Sequence, residues 1–373
     1  MLKGKHLQSY SDDINSETTL VYINERNNGS RKDIYMKAQT LRFLSQEDIL
    51  SLKIPYEEVV DVVEKAMAAF GRGDAQNPAK IHINTRPQTY INAMPSYVKE
   101  DDAKEYCGMK WIGGYPENRG KSLPVTWGLM LMNDTETGAP VAVMDARWIT
   151  AIRTAVVAAI TAKYCKVKNT HTMTIIGAGE QGRWNARIMK LVVPEIKKIY
   201  IGDLYDAAVD AYLKKMQPLL PDVEIIPIRN DEERQAAIDD SQILITATQR
   251  SDKPFIYKEM LHKGMLGIPL ESTAWEGQTY TWADRFVCDD WELVQSYLRE
   301  GKYTDGVPEE YQIVGKIING TDVGRANEDE FVITSSHGIA ISDVALGNLI
   351  LEYAERDNVG TVLPFMREAD IIF

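Results

Sequence analysis

The sequence predicts an α/β protein of two domains, one of them built on a parallel sheet. Three observations carry this. The chain has 373 residues, more than one ordinary hydrophobic core organises. After "HTMTIIGAG", a helical stretch, "KKIYIGDL", a helix, "VEIIPI", a helix and "QILITAT" follow in turn, the alternation of βαβ units. Between the first of these strands and its helix stands "GAGEQG", with Gly177, Gly179 and Gly182 in the pattern GxGxxG.

Residues 1–40 are polar and read as an extension, flexible or pinned on a neighbouring surface. From Leu41, "LRFLSQEDILSL" runs from a short strand into a helix, with Ser45 as N-cap and Glu47 and Asp48 in the first turn. "PYEEVVDVVEKAMAAFGRGD" is amphipathic at helical spacing and is expected to stop at Gly71. The segments "KIHINTR", "TYINAMPSYV", "CGMKWIGGY", "VTWGLMLMND" and "APVAVMDA" read as strands separated by turns, Asp134 to Gly138 among them. "ARWITAIRTAVVAAITAKYC" is a long Ala-rich helix, and "AISDVALGNLILEYAERD" is another near the C-terminus.

Composition bounds the function. The formal charge is −12, which argues against a nucleic-acid or anionic-membrane surface, since either needs a basic face. Three cysteines, Cys107, Cys165 and Cys288, form no CxxC and no zinc-ligand spacing, so no metal site is expected. The chain reads as cytoplasmic: its cysteine usage suits a reducing compartment, and its N-terminal residues show no apolar signal-peptide core.

The glycine loop carries the clearest chemistry. Glycines let the backbone turn tightly and approach a pyrophosphate at the positive end of the following helix. Asp203, about 20 residues on and ending the next strand, is placed to accept hydrogen bonds from the adenosine ribose. It would repel a 2′-phosphate, and Leu204 and Tyr205 supply no compensating arginine; NAD is therefore expected over NADP. A second stretch, "GYPENRGKS", imitates a nucleotide P-loop. It has five residues between the glycines where that motif has four, and Pro116 lacks an amide the phosphate would use.

Three cations sit in apolar settings: Lys80 in "NPAKIHIN", Lys110 in "GMKW" and Arg153 in "WITAIRTA". Strand alternation points Lys110 away from Met109 and Trp111. A buried cation needs a partner. A lone one pairs with a structural acid, whereas three beside a dinucleotide fold suggest a clamp for a substrate carboxylate. Such a clamp is expected to be hydrated and unpaired when empty.

These residues resemble the ornithine cyclodeaminase/μ-crystallin family. The resemblance rests on "GMKWIGGYPEN…LP", "LMNDTETGAPVAVMDARWITAIRTA", "IIGAGEQG" and "SSHGIAISD", in that order from about Leu41 onward. It implies a Rossmann-type dinucleotide-binding domain, residues 154–332, inserted in a split α+β substrate and dimerisation domain, residues 41–153 plus 333–373. It also implies a homodimer acting on an amino or imino acid with NAD. On matching positions, Lys110 and Arg153 would grip the α-carboxylate, Lys80 standing where the family usually has an arginine. Met94 would wall the pocket. Thr248 would meet the nicotinamide half, and the segment from Ser336 to Gly338 would close over the cofactor.

Two departures bear on the activity. Asn92 stands before "MP" where cyclodeaminases have a glutamate that holds the amine. Glu271, in "GIPLESTAWEG", occupies the place of the family's catalytic aspartate, with Glu276 as a rival. The expectation is an NAD-dependent amino or imino acid oxidoreductase with Lys110 and Glu271 as its catalytic residues. A cyclodeaminase-type ammonia lyase is the alternative, and a non-enzymatic μ-crystallin-like binding protein a further one. Trp111, Tyr115, Trp275 and Tyr280 could serve a large substrate or simply pack.

Overall fold

The computed structural model describes residues 20–23, 34–37, 39–248, 251 and 253–366. Most of the expected N-terminal extension lies outside the described residues. Within it β1 (Leu20–Ile23) and β2 (Ile34–Lys37) pair antiparallel.

The first large sheet contains β3 (Gln39–Leu44), β4 (Ala75–Gln76), β5 (Ile81–Ile83), β6 (Tyr90–Lys99), β7 (Glu105–Gly114), β8 (Thr126–Asn133) and β9 (Pro140–Asp145). Its order is β3-β9-β8-β7-β6-β4, with β5 also on β6. Only β3 and β9 run parallel. Ser45 caps α1 (Gln46–Ser51) through a reciprocal capping box with Asp48. The helix α2 (Tyr56–Arg72) buries Val59, Val62, Val63, Ala66 and Met67. It ends at Gly73 with a left-handed φ of 88°, two residues beyond the expected stop. Gly71 lies inside the helix for another reason: a Cβ there would sit 2.2 Å from the backbone carbon of Gly315. The false P-loop forms a short 3₁₀ turn, Pro116–Lys121.

The second sheet is parallel throughout. It contains β10 (Thr172–Ile176), β11 (Lys198–Gly202), β12 (Glu224–Ile228), β13 (Ile243–Thr246), β14 (Leu266–Pro269), β15 (Arg285–Cys288), β16 (Tyr311–Ile313) and β17 (Val332–Ser335). The order β12-β11-β10-β13-β14-β17-β15-β16 reverses direction between β10 and β13, the switch point where such sheets bind ligands. Its strands are near-continuous apolar runs because helices cover both faces. α3 (Arg147–Cys165) leads in. α4 (Glu180–Val192), α5 (Asp206–Met216), α6 (Asp231–Asp239), α7 (Gln278–Trp282), α8 (Trp291–Arg299) and α9 (Val314–Ile318) lie along it, and α10 (Ala340–Arg356) leads out. Finally β18 (Thr361–Met366) returns to the first sheet, antiparallel to β3. The boundaries expected at 153/154 and 332/333 fall inside α3 and β17, which tie the two layers together.

α3 is buried nearly all round, from Ile149 to Cys165, and packs against α2, α4 and α10. Its small side chains permit these close approaches. α10 crosses the inner face of β6, β7 and β8. Along β7, Tyr106, Gly108, Lys110 and Ile112 face inward, and Trp111 faces out. The alternation thus delivers Lys110 to the helix α10.

Candidate functional site

Loops at the C-terminal edge of the parallel sheet carry the glycine motif, Asp203, Thr248, Glu271, Asp289 and the segment 336–338, and the last of these meets Lys80 and Arg153. After β10, Gly177 adopts φ 123°, and a Cβ there would lie 2.5 Å from the Ala247 carbonyl oxygen. A Cβ at Gly182 would strike the Gly177 carbonyl oxygen at 2.0 Å, so α4 packs tightly on the strand. Gly179 differs: a Cβ there would meet nothing within 4 Å. It opens α4 without a side-chain cap, leaving first-turn amides for a phosphate. Asp203 Oδ2 accepts a hydrogen bond from Ala178 N–H at 2.8 Å, and Oδ1 from Tyr205 N–H at 3.2 Å. These residues fit a dinucleotide: an open cradle, a free helix end and a fixed carboxylate for the ribose.

The three cations meet on the facing side. Lys110 and Asp343 are both 0% exposed. Lys110 Nζ stands 2.6 Å from Asp343 Oδ1, and Arg153 Nε 3.2 Å from the same oxygen. Both are close ion pairs to a single carboxylate oxygen. The expectation of unpaired clamp cations is therefore corrected. Asp343 shares both, because α10 carries it across the face onto which β7 projects Lys110. The only sequence signal for Asp343 was an acid within the apolar run of α10, in "SSHGIAISD".

Lys80 leads into β5 and donates from Nζ to the His337 carbonyl oxygen at 2.6 Å. Gly338 follows with φ 75°, and a Cβ there would lie 2.1 Å from Arg153 Nη1; only glycine lets the guanidinium pass. Gly338 N–H donates to Asp289 Oδ2 at 2.9 Å. His337 Nε2 lies 2.6 Å from Tyr303 OH and 2.9 Å from Ser335 Oγ. His337 stands within the segment 336–338 marked by the sequence, whereas nothing in the local sequence of Asp289 or Tyr303 marks them. Met94, 3% exposed, pairs in register with Lys110. Ser336 lies in the same turn after β17.

Glu271 follows β14, and its Oε1 accepts a hydrogen bond from Thr248 Oγ1 at 2.8 Å. Its Oε2 is buried without a partner. Burial raises its carboxyl to about 8, against the pull of hydrogen bonds from Thr248 and Thr246. Glu276 lies in the next loop and makes no such contact. Burial lowers Lys110 to about 7, opposed by Asp343 and reinforced by Arg153. It lowers Lys80 to about 8, again reinforced by Arg153. Asn92 is engaged by His82, whose Nδ1 lies 2.7 Å from its Oδ1. The site thus contains a buried carboxyl pushed toward its protonated form and a cluster of three basic side chains against two acids, Asp289 and Asp343. Such a site can anchor an anion while exchanging a proton.

A dinucleotide loop and a buried cation cluster on one chain of two sheets define a class: the two-domain, NAD-dependent oxidoreductases. Residues 41–358 match the ornithine cyclodeaminase/mu-crystallin family, and the chain belongs to that family. Over 327 residues it is 31% identical to the nodulation efficiency protein NfeD of Rhizobium meliloti, covering 87% of this chain and 99% of that one. Thermococcus litoralis Delta(1)-pyrroline-2-carboxylate reductase, in complex with NADH and L-proline, is similar with a TM-score of 0.74 at 28% identity, covering 86% and 99%. An archaeal alanine dehydrogenase dimer with bound NAD gives 0.77 at 27% identity, covering 88% and 100%. Family, fold class and NAD as cofactor are those the sequence led us to expect. Among the described residues, no helix is long and apolar enough to cross a membrane.

Proposed function

We propose that this chain moves a hydride between NAD and the α-carbon of an amino acid or its imine. The observation that supports this most is Glu271, a buried carboxyl pushed up to about 8 and held by Thr248 with one bare oxygen, on a chain that also gathers Lys80, Lys110 and Arg153 about Asp343. Bound NAD supplies the hydride donor or acceptor. Lys110, Arg153 and Lys80 hold the substrate carboxylate, with Met94 as a wall. In the reductive direction Glu271 gives its proton to the imine nitrogen; in the oxidative direction its carboxylate takes a proton from the amine. Thr248 holds Glu271 in place beside the nicotinamide half, and Ser336 and Gly338 close the cofactor's side of the cleft. Residues 154–332 form the dinucleotide domain, and residues 41–153 plus 333–373 the substrate and dimerisation domain. The protein works as a cytoplasmic homodimer.

Asn92, tied to His82 in place of a carboxylate, weighs against the cyclodeaminase alternative. The test is a turnover screen of amino acids with NAD, and of imines or keto acids plus amines with NADH. Stoichiometric change in the NADH band supports the proposal. Ammonia release without net redox change would show a cyclodeaminase, and ligand binding without turnover a binding protein.

A further inference from the structure

The loop proposed to receive the adenosine ribose has an arginine, Arg229, beside it. The register of the parallel sheet sets Gly202 opposite Ile228, so Asp203 and Arg229 leave adjacent strands side by side. Arg229 does not point free. Its Nη1 donates to the backbone oxygen of Asp206 at 3.1 Å and to Asp206 Oδ1 at 3.0 Å. Its Nη2 donates to Asp210 Oδ1. Asp206 and Asp210 stand one turn apart on α5, so both carboxylates face the same guanidinium. The arginine backbone is also fixed: its N–H donates to Glu233 Oε2 at 2.7 Å, and Glu233 N–H donates to the N-cap Asn230 at 2.8 Å. Leu204 and Tyr205, the only residues between Asp203 and Asp206, are 87% and 68% exposed and carry no charge.

A guanidinium suits a ribose 2′-phosphate better than any other side chain, through paired charge-assisted hydrogen bonds. Arg229 stands next to that position with its donors spent on two aspartates. A single exposed ion pair would hold it weakly, but one guanidinium engaging two carboxylates and a carbonyl is a network. We propose that Arg229 is a specificity-determining residue held in reserve, and that Asp206 and Asp210, together with Asp203, exclude NADP by withholding it. A 2′-phosphate meets the Asp203 carboxylate and finds the adjacent cation already neutralised. The ribose diol of NAD needs only Asp203.

This rests on the dinucleotide site described above, and titration of NADH and NADPH by intrinsic fluorescence at fixed ionic strength separates the two. In Asp206→Asn/Asp210→Asn, NADPH should bind about tenfold to a hundredfold tighter than in the parent, the worth of one freed charge-assisted contact. NADH affinity should stay within about twofold, because Arg229 engages both aspartates and Asp203 alone is placed for the ribose diol. Adding Arg229→Ala to that pair should abolish the gain. Unchanged NADPH affinity in the double variant overturns the proposal. So does a gain that persists without Arg229, which would mark a general effect of lost negative charge. Failure of the parent to bind NADH at all would instead sink the dinucleotide reading, and this inference with it.

Discussion

Asp343 serves two cations through one carboxylate oxygen, and that sharing governs what each substitution does. Lys110→Met or Arg153→Met removes a carboxylate contact in a pocket shielded from water and should lower kcat/KM about 30- to 1000-fold. Each single variant leaves Asp343 one remaining partner, so stability should fall by only about 1–3 kcal/mol. The double variant orphans a fully buried carboxylate and should cost about 3–5 kcal/mol. Denaturant melts of the three variants check this; single variants already as unstable as the double would show that the second cation gives no cover. Glu271 sets a pH dependence. Its raised value near 8 keeps the proton needed for reduction below that pH, so the reductive rate should decline as pH rises through about 8. The oxidative rate should rise over the same range, since it needs the carboxylate. Glu271→Gln should remove both limbs and most of the activity; a limb near pH 8 surviving in that variant would assign it to another group, Lys80 first.

At the scale of elements, α2 and α9 meet backbone to backbone at Gly71 and Gly315. A Cβ at either glycine would lie within 2.2 Å of the opposing main chain, and main chain cannot rotate aside as a side chain can. Gly71→Ala should therefore destabilise the protein by about 1–3 kcal/mol, although alanine is the better helix former. A melting temperature at or above that of the parent would disprove the close contact. Asn77 makes a second junction: its Nδ2 donates to Asp290 Oδ2 at 2.7 Å, and its Oδ1 accepts from Ala340 N–H at 3.0 Å. This joins the start of α8 to the start of α10 near Lys80. The position of the clamp relative to the dinucleotide loops depends on such contacts between layers.

For the whole molecule, the outer face of the mixed sheet carries exposed aromatic and aliphatic side chains. Trp111, Trp127 and Leu129 are 41%, 50% and 46% exposed. They line a groove of about 670 Å³ with Phe43, Ile91 and Arg147. An apolar face of this kind is expected to be covered, and a second copy covering it by two-fold symmetry accounts for the homodimer proposed above. Light scattering should give twice the chain mass at micromolar concentration. Trp127→Glu/Leu129→Glu should shift it to the monomer with NADH binding intact, because the dinucleotide loops lie on the other sheet. A monomeric parent protein would refute the assembly.

Much of this was legible before any coordinates. The βαβ alternation, GxGxxG with Asp203 and the capped start of α1 all follow from local rules: strand period, helix period, glycine geometry and dipole; strand period also turns Lys110 away from Met109 and Trp111, without deciding between solvent and a pocket. These act over a few residues, so they are written in the order of the chain. The partnership of Lys110 and Arg153 with Asp343 was not, because it joins β7, α3 and α10 across about 230 residues of sequence by burial alone. Nor was the true role of Gly71, which local pattern assigns to a helix stop and packing assigns to a helix crossing. The strands β14 to β18 went unread for a related reason. They are short and gain their stability from neighbours in the sheets, so only the assembled layers reveal them. Local pattern along the chain sets the class of fold, the cofactor loop and the residues able to carry charge. The tertiary structure decided which charges meet, which protons they hold and which arginine is withheld, because those depend on desolvation and distance between segments that the chain keeps far apart.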